Sequence, residues 1–175
     1  MTYIETDRLI LRELSDGDFS TLYDVLADSD IMRHYPYTFD GARVKNWISK
    51  NIERYKVFGF GLWAVVLKET GEMIGDRGIT MQNIDGSIRP EIGYHISRKF
   101  QGQGYAKEAA RACRDWAFKN TPFNIIYSYM KKDNVALRAT AAANGMKMIG
   151  EYYDSENEIT AVHSITRGEW KNQQK

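Results

Sequence analysis

In the first third of the chain, apolar positions recur with the spacing of one strand and two amphipathic helices. Alternation over residues 9–12 predicts the strand, and a sequence resembling a helix-capping box follows at residues 15–18. The inward positions are Phe19, Leu22 and Leu26 in the first helix and Val44, Trp47, Ile48, Ile52 and Tyr55 in the second. Asp40 is placed to cap the second helix, and Gly59 is placed to end it.

The middle of the chain consists of short apolar runs separated by turn residues. These runs predict strands over residues 62–67, over residues 73–81 and from Glu91 onward. Turn residues separate them at 69–72 and at Asp85-Gly86, the second being a pair typical of tight hairpins. Successive strands joined by short turns predict an antiparallel meander.

Helical and strand patterns alternate in the last part of the chain. The predicted elements are a helix after Gly104, a strand over 125–130, a helix over 134–144 and strands over 146–153 and 159–165. A strand, a helix and a further strand in succession predict a crossover, so the fold class is α/β, in the mixed α+β sense. No linker or repeat interrupts the pattern, and we expect one domain over residues 1–175.

Composition and charge exclude several classes of partner. Lys and Arg total 24 and Asp and Glu total 23, so the chain lacks the net positive charge that recruits nucleic acid or an anionic membrane surface. The N-terminal residues have neither the basic start nor the apolar run of a secretory signal, and no apolar stretch approaches the length of a membrane span. We therefore expect a cytoplasmic protein with no nucleic-acid or membrane partner.

The chain has a single cysteine, Cys113, which cannot form an internal disulfide. This is consistent with a reducing compartment. Cys113 lies on the apolar stripe of the helix predicted after Gly104, so burial is favoured over a nucleophilic role.

The most informative segment is the strand Glu91-Ile92-Gly93-Tyr94-His95-Ile96, which is followed by Gln101-Gly102-Gln103-Gly104-Tyr105-Ala106 and then a helix. Two glycines one residue apart permit a tight turn, and the free amides at a helix start attract anions. The segment is therefore a candidate phosphate site. Glycines that serve the backbone turn alone are the alternative.

Two nucleotide-binding motifs are excluded by spacing. A dinucleotide fingerprint requires a third glycine or alanine where this chain has Lys107, and it opens a domain instead of following ninety residues. A P-loop requires Gly-Lys-Ser/Thr at its end, whereas Gly104 is followed by Tyr105 and Ala106.

The glycine segment resembles the acyl-CoA signature Q/R-x-x-G-x-G/A of the GNAT N-acetyltransferase superfamily, met by Gln101, Gly104 and Ala106. Further matches resemble its RimJ/RimL-like branch, whose name-giving members acetylate ribosomal proteins. They are Glu5-Thr6-Asp7-Arg8-Leu9-Ile10-Leu11-Arg12, the pair Gly93-Tyr94, Asn134, and Ser164-Ile165-Thr166-Arg167-Gly168-Glu169-Trp170. The resemblance implies the acyl-CoA N-acyltransferase fold, a mostly antiparallel twisted sheet with helices on both faces and a strand–helix–strand crossover.

The resemblance also implies acetyl-CoA as acyl donor, with no metal. Pantetheine is then expected along Tyr94, His95 and Ile96, and the pyrophosphate on the amides of residues 102–106, so that the implied cofactor-binding residues are Tyr94, His95, Ile96, Gln101, Gly102, Gln103, Gly104, Tyr105, Ala106 and Asn134. The family usually has a bulge in this strand, which Gly93 would ease. Asn134 matches the asparagine that contacts the pantetheine arm, and a helix N-cap is its structural alternative.

Catalytic groups are less clearly marked. Glu91 matches the glutamate of the branch's E-I-G-Y segment and is the candidate base, with a carboxylate satisfied at a strand end as the alternative. Many superfamily members have a tyrosine acid seven residues after the asparagine, where this chain has Ala141. Another hydroxyl, such as that of Tyr129 or Ser128, or solvent would then protonate the thiolate.

The three histidines at 34, 95 and 163 lack paired metal-ligand spacing, so we expect no metal site. A structural role is favoured for His95 over a proton relay. The aromatic-rich loop at residues 31–39 is the candidate acceptor wall, with His34, Tyr35 and Tyr37 as substrate-binding residues, and core packing of its aromatics is the alternative.

The branch implies acetyl transfer to a primary amine by direct attack, with a protein N-terminus as the acceptor. A small-molecule amine such as a polyamine, amino acid or antibiotic is the second reading, and a CoA-binding protein without catalysis is the third. A homodimer is compatible with the sequence.

Overall fold

Eight strands form one sheet in the computed structural model, which describes residues 3–33, 37–155 and 158–174. The strands are β1 (Tyr3–Glu5), β2 (Leu9–Glu13), β3 (Leu62–Leu67), β4 (Met73–Ile84), β5 (Ser87–Ile96), β6 (Ile125–Lys131), β7 (Lys147–Asp154) and β8 (Glu158–Thr166). Their order is β1-β2-β3-β4-β5-β6-β8-β7, and β5–β6 is the parallel pair in an otherwise antiparallel sheet. The predicted meander and mixed fold class are confirmed.

The helices are α1 (Phe19–Leu26), α2 (Gly41–Phe58), α3 (Tyr105–Asn120), α4 (Val135–Ala143) and α5 (Arg167–Asn172). Asp40 caps α2 by accepting the amide of Arg43, and Gly59 ends it at φ 75°. The helix α3 connects β5 to β6 and is the predicted crossover. No helix in the described ranges combines the length and apolar character needed to cross a membrane.

Two apolar cores cover opposite faces of the sheet. The core under α3 includes Ala109, Cys113 and Ala117 packed with Trp63 and Ile92. The second core packs side chains of α1 and α2, among them Leu22, Leu26, Val44 and Ile48, on residues of β3 and β4. Helices therefore lie on both faces, as expected. Cys113 is fully buried, and burial raises the pKa of its thiol to about 12.

The turn of the β4–β5 hairpin fixes which residues of the two strands lie opposite each other. Its two-residue turn has both Asp85 and Gly86 at positive φ, 50° and 74°, the conformation of the tight turn expected there. The pairing continues outward without a shift from Ile84 opposite Ser87 to Gly75 opposite Ile96. The bulge expected in β5 is therefore absent from this pairing, and β5 begins at Ser87 instead of Glu91.

Candidate active site

The parallel strands β5 and β6 separate and open a cleft. In the described part of the chain they pair at one position, Glu91 with Tyr127. Beyond it, residues 93–96 and 129–131 line opposite walls of a cleft of about 760 Å³. An extended group can lie along such a strand edge as an added strand would. The splay that the family bulge was expected to produce is thus present without a bulge in the β4–β5 pairing.

The glycine loop closes one end of the cleft. Gly102 and Gly104 have φ of 75° and 85°, a left-handed conformation that a residue with a Cβ rarely adopts. Gly104 is the N-cap of α3 and supplies no side-chain cap, so the first amides of the helix are directed toward the loop. The Nε2 of Gln101 donates to the carbonyl of Ile96 at 2.9 Å and ties the loop to β5. This end of the cleft can bind an anion.

Arg8 braces the glycine loop from outside. Its Nη1 donates to the carbonyl of Gln103 at 3.1 Å, and its guanidinium lies 4.4 Å from the ring centre of Tyr105. Its Nε donates to Oε2 of Glu108 at 2.7 Å, and Oε1 of Glu108 accepts the hydroxyl of Thr6. Although partial burial opposes the effect, these hydrogen bonds from Thr6 and Arg8 lower the pKa of Glu108. The negative charge of Glu108, which would repel a phosphate at the start of α3, is therefore paired with the guanidinium of Arg8.

Glu91 lies where the two strands diverge, and its carboxyl is largely removed from water. The residue is 7% exposed and lines the cleft. Burial raises its pKa to about 8, against the opposing effects of the charge on Arg77 and a hydrogen bond from Thr80. The Thr80 hydroxyl lies 3.4 Å from Oε2 and itself accepts a hydrogen bond from Gln82, which also lines the cleft. A carboxyl with such a pKa can exchange protons near neutral pH.

His95 lines the cleft two residues beyond Gly93 and is paired with a buried carboxylate. Its Nδ1 lies 2.8 Å from Oδ1 of Asp76, and Oδ2 of Asp76 accepts the indole N–H of Trp47 at 2.7 Å. The rings of Trp47 and His95 meet edge to face with centres 5.4 Å apart. Asp76 was not a sequence candidate. The Asp85-Gly86 turn was the sequence signal that could have revealed it, because counting outward from a two-residue turn places residue 76 opposite residue 95.

Asn134 lies at the N-cap of α4 and also in the lining of the cleft. Its Oδ1 accepts the amide of Leu137 at 3.1 Å and caps α4, while the residue also lines the cleft. Because Oδ1 serves the cap, Nδ2 is the atom of this side chain that can donate a hydrogen bond elsewhere. Ala141 is buried in the core under α3, so no hydroxyl occupies that position. Tyr129 lines the cleft, whereas Ser128 is buried and its hydroxyl lies 3.4 Å from the carbonyl of Ile92.

The segment after α1 contributes a further part of the cleft wall. Asp30, Ile31 and Arg33 line it, and Arg98 joins this segment to the region before the glycine loop through ion pairs with Asp28 and Asp30. Tyr37 lines a smaller hollow of about 220 Å³ instead, where it contacts Phe39 and Arg43. His34 and Tyr35 lie outside the described residues.

The remaining sequence candidates converge on this one cleft. All the residues expected to bind the cofactor line it except Gln103, whose side chain donates to the carbonyl of Lys99. The residues that sequence reasoning missed are Asp76, Thr80 and the Arg8–Glu108 pair. No local pattern marks that last pair, because its members are 100 residues apart in the chain.

Comparisons with known proteins agree with this geometry. The model of the acetyltransferase (GNAT) domain matches residues 8–147. The Bacillus subtilis protein YkkB is 37% identical over 146 residues, which span 83% of this chain and 85% of that protein. The FsC-acetyl coenzyme A-N(2)-transacetylase of Aspergillus fumigatus is 31% identical over 80% of this chain and 64% of that protein.

Solved structures share the fold across the chain. An acetyltransferase from Agrobacterium tumefaciens superposes with a TM-score of 0.81 at 29% identity, covering 94% of each chain. RimL, a ribosomal L7/L12 alpha-N-protein acetyltransferase in complex with coenzyme A, superposes with a TM-score of 0.77 over 94% of this chain and 98% of that one, but at 17% identity the likeness extends to the fold alone. The family match and the cleft together show that the chain belongs to the GNAT acetyltransferase family and is an acyltransferase.

Proposed function

We propose that the chain transfers the acetyl group of acetyl-CoA to a primary amine by direct attack of the amine nitrogen on the thioester carbonyl. The observation that carries the proposal is the divergence of β5 and β6 beyond Glu91, directly beside the glycine loop. It combines an anion site with an extended groove, the two features that a diphosphate joined to a pantetheine arm requires. The name of the Aspergillus relative, which joins acetyl coenzyme A to an N(2) position, supports the same donor and acceptor chemistry.

In the proposed complex, the amides of residues 102–106 hold the diphosphate. The pantetheine arm extends along Tyr94, His95 and Ile96 toward Gly93, and Nδ2 of Asn134 donates to it from the facing helix. This direction brings the thioester to the point where the strands diverge, next to Glu91. Most of the contacts to the diphosphate would come from backbone groups, so we expect substitution of the glycines to weaken binding more than substitution of nearby charged side chains.

Glu91 is the proposed proton acceptor. An alkylammonium must lose a proton before its nitrogen can attack. A carboxyl with a pKa of about 8 accepts that proton in its ionised form, whose fraction rises as the pH approaches 8. Its position at the divergence of the strands supports a role on the acceptor side of the thioester. The acetyl group then lies between Glu91 and the rest of the pantetheine arm.

For the acceptor we propose the α-amino group of a protein N-terminus, with a small-molecule amine as the alternative. Asp30, Ile31 and Arg33 line the cleft beside the segment that holds the proposed substrate-binding residues His34, Tyr35 and Tyr37. Tyr37 would act from the neighbouring hollow, which shares Arg33 with the cleft. The proposal includes a cytoplasmic location. It is equally compatible with a monomer and a homodimer.

Release of free thiol from acetyl-CoA tests the function. The chain is incubated with acetyl-CoA and a panel of N-terminal peptides, polyamines, amino acids and aminoglycosides, and thiol is measured with a colorimetric reagent. The buried Cys113 adds little background in the native protein. We expect amine-dependent release, lowered about 100-fold or more by Glu91→Gln, as typical for loss of a general base. The exposed Glu53 on α2 provides a matched control, Glu53→Gln.

Two outcomes would contradict the proposal in different ways. Binding of acetyl-CoA without thiol release across the panel would favour a CoA-binding protein without catalysis, the reading that Ala141 supports. Full activity of Glu91→Gln would remove Glu91 as the base and leave the transfer itself intact.

A further inference from the structure

His95 and Asp76 form a hydrogen-bonded pair that the steps above do not use. Asp76 is fully buried and His95 is 6% exposed, in a wall of the cleft. With Asp76 ionised, its carboxylate only accepts hydrogen bonds, and the Nδ1 that contacts it at 2.8 Å then carries the ring proton. The basic nitrogen of the imidazole is then Nε2. Because Trp47 donates to the second oxygen of Asp76, the carboxylate is fixed in place and the histidine ring with it.

The position of His95 along β5 determines which atoms of the proposed complex it faces. Side chains alternate along a strand, so Glu91, Gly93 and His95 lie on the same face of the sheet. At about 3.3 Å per residue, Glu91 and His95 are each about 7 Å from Gly93 along the strand, on opposite sides of it. In the proposed complex the thioester reaches Gly93 from the direction of His95. The amine therefore approaches on the side of Glu91, and the sulfur leaves on the side of His95.

We propose that His95, oriented by Asp76, takes a proton from the attacking nitrogen and transfers it to the departing thiolate. The proposal rests on the proposed function and adds a second proton-transfer group to it. His95 is the catalytic residue in this step. Asp76 is a positioning residue that selects the tautomer and stabilises the imidazolium that forms transiently.

Glu91 removes the first proton of the ammonium, and the neutral amine forms the new C–N bond at the thioester carbon. The Nε2 of His95 accepts a second proton from the nitrogen, which has become positively charged. The C–S bond breaks as the carbonyl reforms, and the thiolate takes the proton from Nε2. The products are the amide and free coenzyme A, with the first proton released from Glu91 to water.

Replacing His95 separates this role from a structural one. The amide of His95→Asn can still donate to Asp76 but lacks the basic nitrogen, so we expect kcat to fall about 100-fold, as typical for loss of a proton-transfer group. The dissociation constant for acetyl-CoA should change less than threefold. In His95→Ala, added imidazole should restore kcat at least tenfold. His163, a buried histidine on β8 outside the cleft lining, supplies the control, because His163→Asn should keep kcat and not respond to imidazole.

The role of Asp76 is tested by Asp76→Asn and by the tautomer of His95. The introduced amide can donate to Nδ1, which would place the ring proton on Nε2. We expect kcat to fall at least tenfold with unchanged acetyl-CoA binding, and the ¹⁵N shifts of labelled histidine to show the exchanged tautomer. Trp47→Phe removes one hydrogen bond that fixes the carboxylate but leaves the Asp76–His95 contact and the tautomer of His95 unchanged, so its kcat should fall less than that of Asp76→Asn.

Three results would overturn the proposal. They are His95→Asn retaining kcat within threefold, folded His95→Ala that does not respond to imidazole, and a wild-type ¹⁵N spectrum with the ring proton on Nε2. Failure of the proposed function looks different, because the unaltered chain would then release no thiol. That result would contradict both proposals, whereas the three above contradict the proton transfer through His95 alone.

Discussion

Gly93 leaves the space that the carboxyl of Glu91 occupies. A Cβ at residue 93 would lie 3.0 Å from Oε2 of Glu91, closer than side chains normally approach. Because that oxygen ends a flexible side chain, a methyl group at residue 93 would displace the carboxyl without preventing the strand from forming. The glycine therefore determines where the proposed base lies.

Gly93→Ala should lower kcat at least tenfold with little loss of stability, since small misplacements of a catalytic group are costly in rate. Alanine has a lower entropic cost in a strand than glycine, which offsets part of the contact. Steady-state kinetics and urea denaturation measure the two effects. The control is Gly150→Ala on β7, where an added Cβ meets nothing within 4 Å. Unchanged kcat in Gly93→Ala would contradict the position assigned to the base.

The raised pKa of Glu91 makes the stability of the fold depend on pH. Because the folded chain keeps this proton up to about pH 8 and the unfolded chain loses it near 4.5, the free energy of unfolding should decrease as pH rises through that window. The slope contributed by this group is at most about 1.4 kcal/mol per pH unit. Glu91→Gln should remove that contribution, as measured by urea denaturation at pH 5, 7 and 9. An identical slope in wild type and Glu91→Gln would show that the carboxyl is not held neutral by burial.

Gly104→Ala should separate the strain of a left-handed residue from the loss of the anion site. We expect a stability loss of about 1–2 kcal/mol, the usual cost of a Cβ in this conformation. Gly71 in the β3–β4 turn has φ 70° with open space around it, so Gly71→Ala should cost a similar amount. Calorimetry should show at least tenfold weaker acetyl-CoA binding for Gly104→Ala and unchanged binding for Gly71→Ala. Equal binding by both variants would argue against the glycine loop as the diphosphate site.

Substitution by serine and by alanine separates the two proposed roles of Asn134, capping α4 and donating to the cofactor. Serine caps a helix nearly as well as asparagine, whereas alanine costs about 1 kcal/mol. Asn134→Ser should therefore keep the stability of the wild type but bind acetyl-CoA as weakly as Asn134→Ala, because both variants lack Nδ2. Thermal unfolding and calorimetric titration measure the pair of effects. Wild-type affinity in Asn134→Ser would limit the residue to capping α4.

Much of the fold could be predicted because local signals agreed with it. The Asp40 cap, the Gly59 stop and the alternation over residues 62–67 each correspond to an element of the structure. The Asp85-Gly86 pair gave the hairpin, and its register was within reach of the sequence. The start of β5 at Ser87 was missed because exposed and intermediate residues precede Glu91 and hide the strand pattern.

The lining of the cleft could be predicted where the chain is continuous, whereas supporting contacts between distant segments were missed. Residues 94–106 belong to one continuous stretch of strand and loop, so the resemblance of that stretch to the family signature was enough to group them. The Arg8–Glu108 brace depends on how β2 and α3 pack, which no pattern within either segment encodes. The buried carboxyl of Glu91 is similar, because its raised pKa arises from the surroundings and not from its neighbours in the chain.

Hydrogen exchange with and without acetyl-CoA tests the central claim most directly, since it locates the ligand without depending on the acceptor. We predict slower amide exchange on binding in residues 93–106 and 129–137, which form the two walls of the cleft and the glycine loop. The edge strand β7 serves as an internal reference and should not change. Unchanged exchange in the glycine loop at saturating acetyl-CoA, or protection confined to another surface, would contradict the account.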